Sequence, residues 1–211
     1  MSAHVFFDNS NIWLGAHSVR SVEEPTVPHH ALRIYYRNLF AKLEGDRTVE
    51  TRILAGSVPP SCETLWAFAR NHGYQTDLLH RVQRDDGSVG EQGVDEILHL
   101  KIANALLDFS PPQTLVVATG DGSVSEFGTG FRTQIERALK IGWDVELWTW
   151  EKSMNGRYRQ IEANSAGKMT IHYLDPDYRS ITFVKGGQYT NQDSSGTPTI
   201  VTVADRVVHP L

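Results

Sequence analysis

Three acids placed beside apolar runs are the residues of this chain best suited to chemistry. Asp8 closes the run "HVFFD" and is followed by Asn9, Ser10 and Asn11. Asp121 follows "TLVVATG", and Asp95 stands in "EQGVDEILHL". Glu126 comes five residues after Asp121, and Asn11 three after Asp8. Carboxylates crowded into one pocket repel one another unless a cation neutralises them. An all-oxygen ligand set favours Mg²⁺ or Mn²⁺ over zinc. Such an ion holds a phosphate oxygen and lowers the pKa of bound water, so the set suits phosphoryl chemistry. On this reading Asp8, Asp95, Asp121 and Glu126 are metal ligands, and Asn11 orients a carboxylate or a water through its amide. Each residue also has a purely structural use. Asp8 can open an Asx-turn, Asn11 can cap a turn and Asp121 can sit in one. Asp95 suits the first turn of a helix, and Glu126 a solvated loop.

The acids meet only if the surrounding elements carry them to one place. Residues 4–8 read as a short buried strand, "TRILAGSVPP" as a second ending at Gly56, and "YQTDLLHRV" as a third. "QTLVVATG" is a strong buried strand, and "WDVELWTW" alternates as strands do. Between them lie helical patterns at 31–44, 61–73, 92–108 and 129–141. The helix at 31–44 rests on Leu32, Tyr36, Leu39 and Leu43, and the one at 92–108 on Val94, Leu98, Ile102 and Ala105. Residues 16–30 are polar, carry Pro25 and Pro28, and read as a loop. Alternating strands and helices imply an α/β fold, a parallel sheet covered by helices on both faces. Ligands in such sheets bind beyond the carboxyl ends of the strands, where Asp8 and Asp121 fall. Asp95 at a helix start opens on the same edge. Beyond Trp150 the pattern weakens to a short helix at 157–164 and strands near 169–174 and 180–184. Residues 1–184 are therefore taken as one domain, and the polar stretch 185–211 as a C-terminal tail or extension.

Composition narrows the function classes. The 211 residues suit one domain with an ordinary core. No apolar run is long enough to cross a bilayer, which argues against a membrane partner. There is no basic n-region or cleavage-like site at the N-terminus, and Cys62 is the single cysteine. Both fit an intracellular protein, cytoplasmic or nuclear, and a lone cysteine excludes Cys-rich zinc modules. The formal charge of −5 argues against a passive nucleic-acid coat, but not against an enzyme that concentrates acids around a metal.

The motifs resemble those of NYN domains, a branch of the PIN-like nucleases. "FFDNSN" is similar to the family's F-x-D-x-x-N opening, and "EQGVDEILHLKIANALLD" to its Gly–Val–Asp stretch at the head of the central helix. "VVATGDGSVSEFGTGFRTQIERALKIGWDVELWTW" resembles its S/T-G-D strand end with the following helix and strand. The three occur in family order over about the first 150 residues. The resemblance implies a PIN-like three-layer α/β/α sandwich with a mostly parallel sheet. It also implies a metal-dependent ribonuclease, endonucleolytic, with Asp8, Asp95 and Asp121 as metal-binding acids and Asn11 as their helper. Many members read G-D-x-D at the third motif, whereas here the row is Gly120-Asp121-Gly122-Ser123. That departure leaves the remaining ligand to Glu126, without which the site is one acid short. The implied reaction is an in-line attack of water that yields a 5′-phosphate and a 3′-hydroxyl and makes no use of the RNA 2′-hydroxyl. PIN-like domains often pair, so the resemblance adds a homodimer as an option.

A single-stranded RNA needs positive and aromatic contacts as well. Trp13 and His17 follow the first motif and could stack on a base, or pack as loop aromatics. Arg81, Arg84 and Lys101 could meet phosphates, or be solvated cations. His99 lies four residues after Asp95 on the same helix face, as a partner of the acids or a core histidine. Two rivals remain. A haloacid-dehalogenase-like phosphatase also begins with a strand ending in Asp, but it needs a second acid where this chain has Ser10. A binding or scaffold protein on a nuclease fold without activity is the other, favoured by Ser123 and the acidic charge.

Overall fold

The structure, a computed structural model, describes residues 1–58, 63–80, 82–83, 89–90, 94–122, 130–192 and 198–211. Its centre is a sheet built from β1 (Ala3–Asp8), β3 (Val49–Val58), β4 (Gln75–His80), β7 (Thr114–Ala118), β8 (Asp144–Thr149) and β9 (Met169–Tyr173). All neighbours run parallel, in the order β4-β3-β1-β7-β8-β9. The chain winds outward from β1 through β3 to β4, then crosses back to lay β7 on the other side of β1. The order thus reverses once, between β1 and β7, and that switch point opens a crevice at the strands' carboxyl ends.

Period-two alternation assigns the two faces. Ala3, Val5 and Phe7 of β1 point into one core, with Ile12, Ala16 and Val19 of α1 (Asn9–Glu23), Leu39 and Leu43 of α2 (Tyr36–Glu44) and Trp66 of α3 (Glu63–Asn71). Phe6 points into the other, with Leu98 and Ile102 of α4 (Val94–Asp108), Ile135 and Ala138 of α5 (Phe131–Lys140) and Tyr158 of α6 (Arg157–Asn164). Both faces of β1 are thus covered, which is why it reads as an unbroken apolar run. The result is the expected α/β/α sandwich with a parallel sheet. Each fully buried large apolar side chain in these layers contributes about 1.5–3 kcal/mol. Among the described residues no helix is long and apolar enough to cross a membrane.

Three local readings change. The polar segment from residue 16 onward continues α1 as far as Glu23. Ile12, Ala16 and Val19 bury one stripe, while Ser18 and Ser21 on the other face account for its loop-like composition. The helix expected over 31–44 begins only at Tyr36. Before it, His29–Ala31 form a 3-10 turn and Leu32–Ile34 form β2, which pairs antiparallel with β10 (Thr182–Val184) after the short helix α7 (Tyr178–Ile181). A strand whose partner is about 150 residues away leaves no local periodic trace. The second strand continues past Gly56 to Val58.

Beyond residue 184 the chain continues as an ordered extension. β11 (Gly187–Gln192) and β12 (Pro198–Val203) make an antiparallel hairpin, and Arg206 pairs its backbone with Val184. The Arg206 guanidinium grips Glu24 at the end of α1 with two bonds, Nε–Oε1 at 2.7 Å and Nη2–Oε2 at 2.9 Å. The Tyr178 hydroxyl donates to the same carboxylate at 2.8 Å. Between β4 and α4 in the chain, β5 (Val82–Gln83) and β6 (Val89–Gly90) pair antiparallel.

Candidate active site

Register places the first acid. In the parallel β1–β7 pair Phe7 faces Ala118, so one residue further Asp8 and Thr119 stand level at the carboxyl edge. Asp8 is also the N-cap of α1, with Oδ1 accepting the Asn11 N–H at 3.0 Å. Its Oδ2 accepts the Thr119 hydroxyl at 3.0 Å. Asp8 is only 3% exposed, and these two donors offset part of the cost of burying its charge. Thr119 Oγ1 in turn accepts the Asp121 N–H at 3.2 Å. One buried hydroxyl thus joins the two acids that follow β1 and β7.

Asn11 acts differently from expectation. Its side-chain Oδ1 accepts the Gly120 N–H at 2.7 Å, so it clasps the loop that carries Asp121. Gly120 is required there. A Cβ on it would lie 2.6 Å from the Ser153 carbonyl oxygen and 3.0 Å from Asn11 Oδ1. The Gly120 carbonyl accepts the Asn155 N–H at 3.1 Å, and the Tyr158 hydroxyl donates to the Asp121 carbonyl. On the other side α1 is pressed onto the end of β8, where Trp150 Nε1 donates to the Ile12 carbonyl at 2.8 Å. Gly15 permits that approach, since a Cβ would stand 2.2 Å from Trp150 Cδ1.

The third acid is visible through its field. Tyr158 is fully buried, and burial pushes its hydroxyl pKa well up. The negative charges of Asp121, Asp8 and Asp95 raise it further, while Arg132 opposes them. All three sequence-selected aspartates therefore act on one phenol. Asp95 lies in the first turn of α4, as expected, and is half-buried. His99, one turn later, is buried edge-on to Phe131 at 4.6 Å, and burial lowers its pKa against the pull of Glu96 and Asp121. Its ring nitrogens make no hydrogen bond among the described residues.

The remaining candidates divide. His17 is buried, stacked on His29 at 3.7 Å with the Trp13 ring edge-on at 4.2 Å, so its faces are covered and a base cannot stack on it. Trp13 is half-buried and also meets His29 edge-on. Lys101 Nζ lies 3.5 Å from Gln75 Oε1 at the start of β4. α4 runs back from the carboxyl edge, so Lys101 is directed toward the opposite rim and away from the acids. Arg81, Arg84, Glu126, Ser123 and Cys62 lie outside the described residues. Among the described residues no three His, Cys, Asp or Glu side chains are gathered closely enough to hold a metal ion. The two acids at the rim, Asp8 and Asp121, carry charged oxygen donors, which is the chemistry a hard divalent cation takes. Thr119, Tyr158 and Arg132 are the site neighbours that sequence reasoning missed. Thr119 lies within the "ATG" stretch that ends the strand, but nothing local marks its hydroxyl as a bridge.

No protein-family model and no curated protein matches the sequence. Among solved structures the chain is similar to a protein of unknown function from Vibrio parahaemolyticus. The two share 14% identity and superpose with a TM-score of 0.56, over 82% of this chain and 94% of that one. At this identity the likeness concerns the fold, a parallel sheet between two layers of helices.

Proposed function

We propose that this protein is a divalent-metal-dependent nuclease that hydrolyses single-stranded RNA at the β1–β7 carboxyl edge. One observation carries the reading: the Thr119 hydroxyl bridges the Asp8 carboxylate to the backbone of Asp121 at the sheet's switch point. The three motifs that resemble NYN domains supply the substrate class. Asp8 and Asp121, with Asp95 and Glu126, are the residues that would hold Mg²⁺ or Mn²⁺. When bound, the ion supplies charge neutralisation at the scissile phosphate and acidifies water. The chain's own part is positional. Asn11 and Thr119 lock the Asp8 carboxylate and the Gly120–Asp121 loop to one another, so the acids need little reorganisation in the transition state. Buried Tyr158 fixes the Asp121 backbone from below.

The test is incubation of the purified chain with single-stranded RNA and Mg²⁺ or Mn²⁺. Cleavage is expected, with 5′-phosphate ends, and Asp8→Asn or Asp121→Asn should lower it by about two to three orders of magnitude. A second reading, an RNA-binding protein without catalysis, is favoured by the lack of a three-acid metal cluster among the described residues. RNA binding with no cleavage under either metal would establish it and end the nuclease reading. Turnover of a small phosphate ester would instead favour a phosphatase.

A further inference from the structure

α5 and α6 follow β7 and β8, so both begin at the carboxyl edge and run down the same face of the sheet. Between them lies a groove of about 550 Å³ whose lining includes Arg132, Glu136, Lys140 and Arg157. The two helices carry five arginine and lysine residues against two glutamates, on a chain whose formal charge is −5. Positive charge is therefore concentrated where the protein as a whole is acidic. Lys140 and Arg157 are exposed and make no ion pair among the described residues. Arg132 is held 3.8 Å from Glu136. The groove begins at the first turns of α5 and α6, on the side of the sheet's carboxyl edge. Arg157 precedes Tyr158, whose hydroxyl donates to the Asp121 carbonyl. From Arg132 to Lys140 the groove follows α5 for about 12 Å at 1.5 Å per residue, room for a few nucleotides of an extended strand.

The geometry points to this groove as the path of the RNA backbone away from the acids, with Arg132, Arg157 and Lys140 meeting successive phosphates. The inference rests on the proposed RNA substrate and adds where the strand runs. It explains how an acidic protein holds a polyanion: the cations are gathered along one track instead of spread over the surface. Glu136 lines the same groove, 3.8 Å from the Arg132 guanidinium.

The test uses the full chain and the double variant Lys140→Gln/Arg157→Gln. Binding of a long single-stranded RNA is measured in chelator against salt concentration. Removing two phosphate contacts should flatten the log–log slope by about 1.4, at about 0.7 per contact. With Mn²⁺ added, kcat/KM for the long RNA should fall in the double variant, and by more than for a dinucleotide, which spans too few phosphates to use the length of the groove. An unchanged slope, or no RNA binding at all, overturns the groove assignment. If the long RNA is cleaved by both proteins with the same slope, the groove fails and the nuclease reading stands. If no RNA is cleaved but the slope falls as expected, the nuclease reading fails and the groove stands.

Discussion

Replacing Thr119 by valine keeps the shape and removes the bridging hydroxyl, which makes it the sharpest probe of how the rim is held. Two bonds are lost. One is to a buried carboxylate, Asp8 Oδ2 at 3.0 Å, and bonds to charged groups contribute about 1.5–3 kcal/mol. The other leaves the Asp121 N–H without its acceptor at 3.2 Å, and Asp121 is half-exposed, so the low end of about 1 kcal/mol applies. Thr119→Val should therefore destabilise by about 3 kcal/mol. For a chain of this size that lowers Tm by roughly 6–12 °C. Thr119→Ser keeps the hydroxyl and loses one buried methyl, about 0.8 kcal/mol. Calorimetry or urea unfolding should rank wild type above serine and serine above valine. A double-mutant cycle with Asp8→Asn should show coupling of about 1 kcal/mol or more. A valine variant as stable as the serine one, or a strictly additive cycle, would refute the bridge.

Three further outcomes follow from the same geometry. Gly120→Ala sets a Cβ against the Ser153 carbonyl, so it should displace the Asp121 loop, costing about 1–3 kcal/mol in thermal unfolding and most of any cleavage activity. His17 is pushed down to about 3, first by burial and then by repulsion from His29, Arg20, His30 and Arg33. The unfolded imidazole takes up a proton that the folded one refuses, so stability should fall as pH drops from 6.5 toward about 3. Thermal scans across that window should be flatter for His17→Phe. For Glu24, burial works against the charge, but Arg206, Tyr178 and Arg179 outweigh it and hold the pKa below its usual 4.5. Its contribution is complete above pH 4.5 and is lost as pH falls through the lowered value. Arg206→Gln should cost about 2 kcal/mol at neutral pH, less than a fully buried pair would, and should blunt that acid limb.

The sheet strands that flank the rim were legible because burial on both faces writes continuous apolar runs, as in "HVFFD" and "TLVVA". The first ends at Asp8 and the second is followed three residues later by Asp121, and the parallel topology places both ends at one edge. The head of α4 was equally clear, since Leu98, Ile102 and Ala105 keep helical spacing. Other features depend on distant partners. β2 exists because β10 lies beside it, and the C-terminal hairpin docks through Arg206 on Glu24, contacts without local periodicity. Asn11 lies between Asp8 and the Gly120 backbone, but that its amide clasps the loop was not legible. Whether an amide faces a carboxylate or a backbone N–H depends on where Gly120 arrives, and β7 decides that. Lys101 and His17 show the converse: chemically suitable residues were placed by helix phase toward the far rim and into the core.

The position of β1 has a consequence for biogenesis. Its neighbour β3 is translated soon after it, whereas β7 follows more than a hundred residues later, the separation being 111 positions at the Asp8–Thr119 bond. A nascent chain that has left the ribosome only through α3 and β4 holds β1 with one bare flank, an adhesive strand awaiting its mate. Closing so long a loop is slow, and Asp8 meets Thr119 only when β7 docks. Truncated translation products will therefore be sticky and unable to bring Asp8 to Thr119, and any chaperone need should be concentrated in the interval before residue 118 emerges.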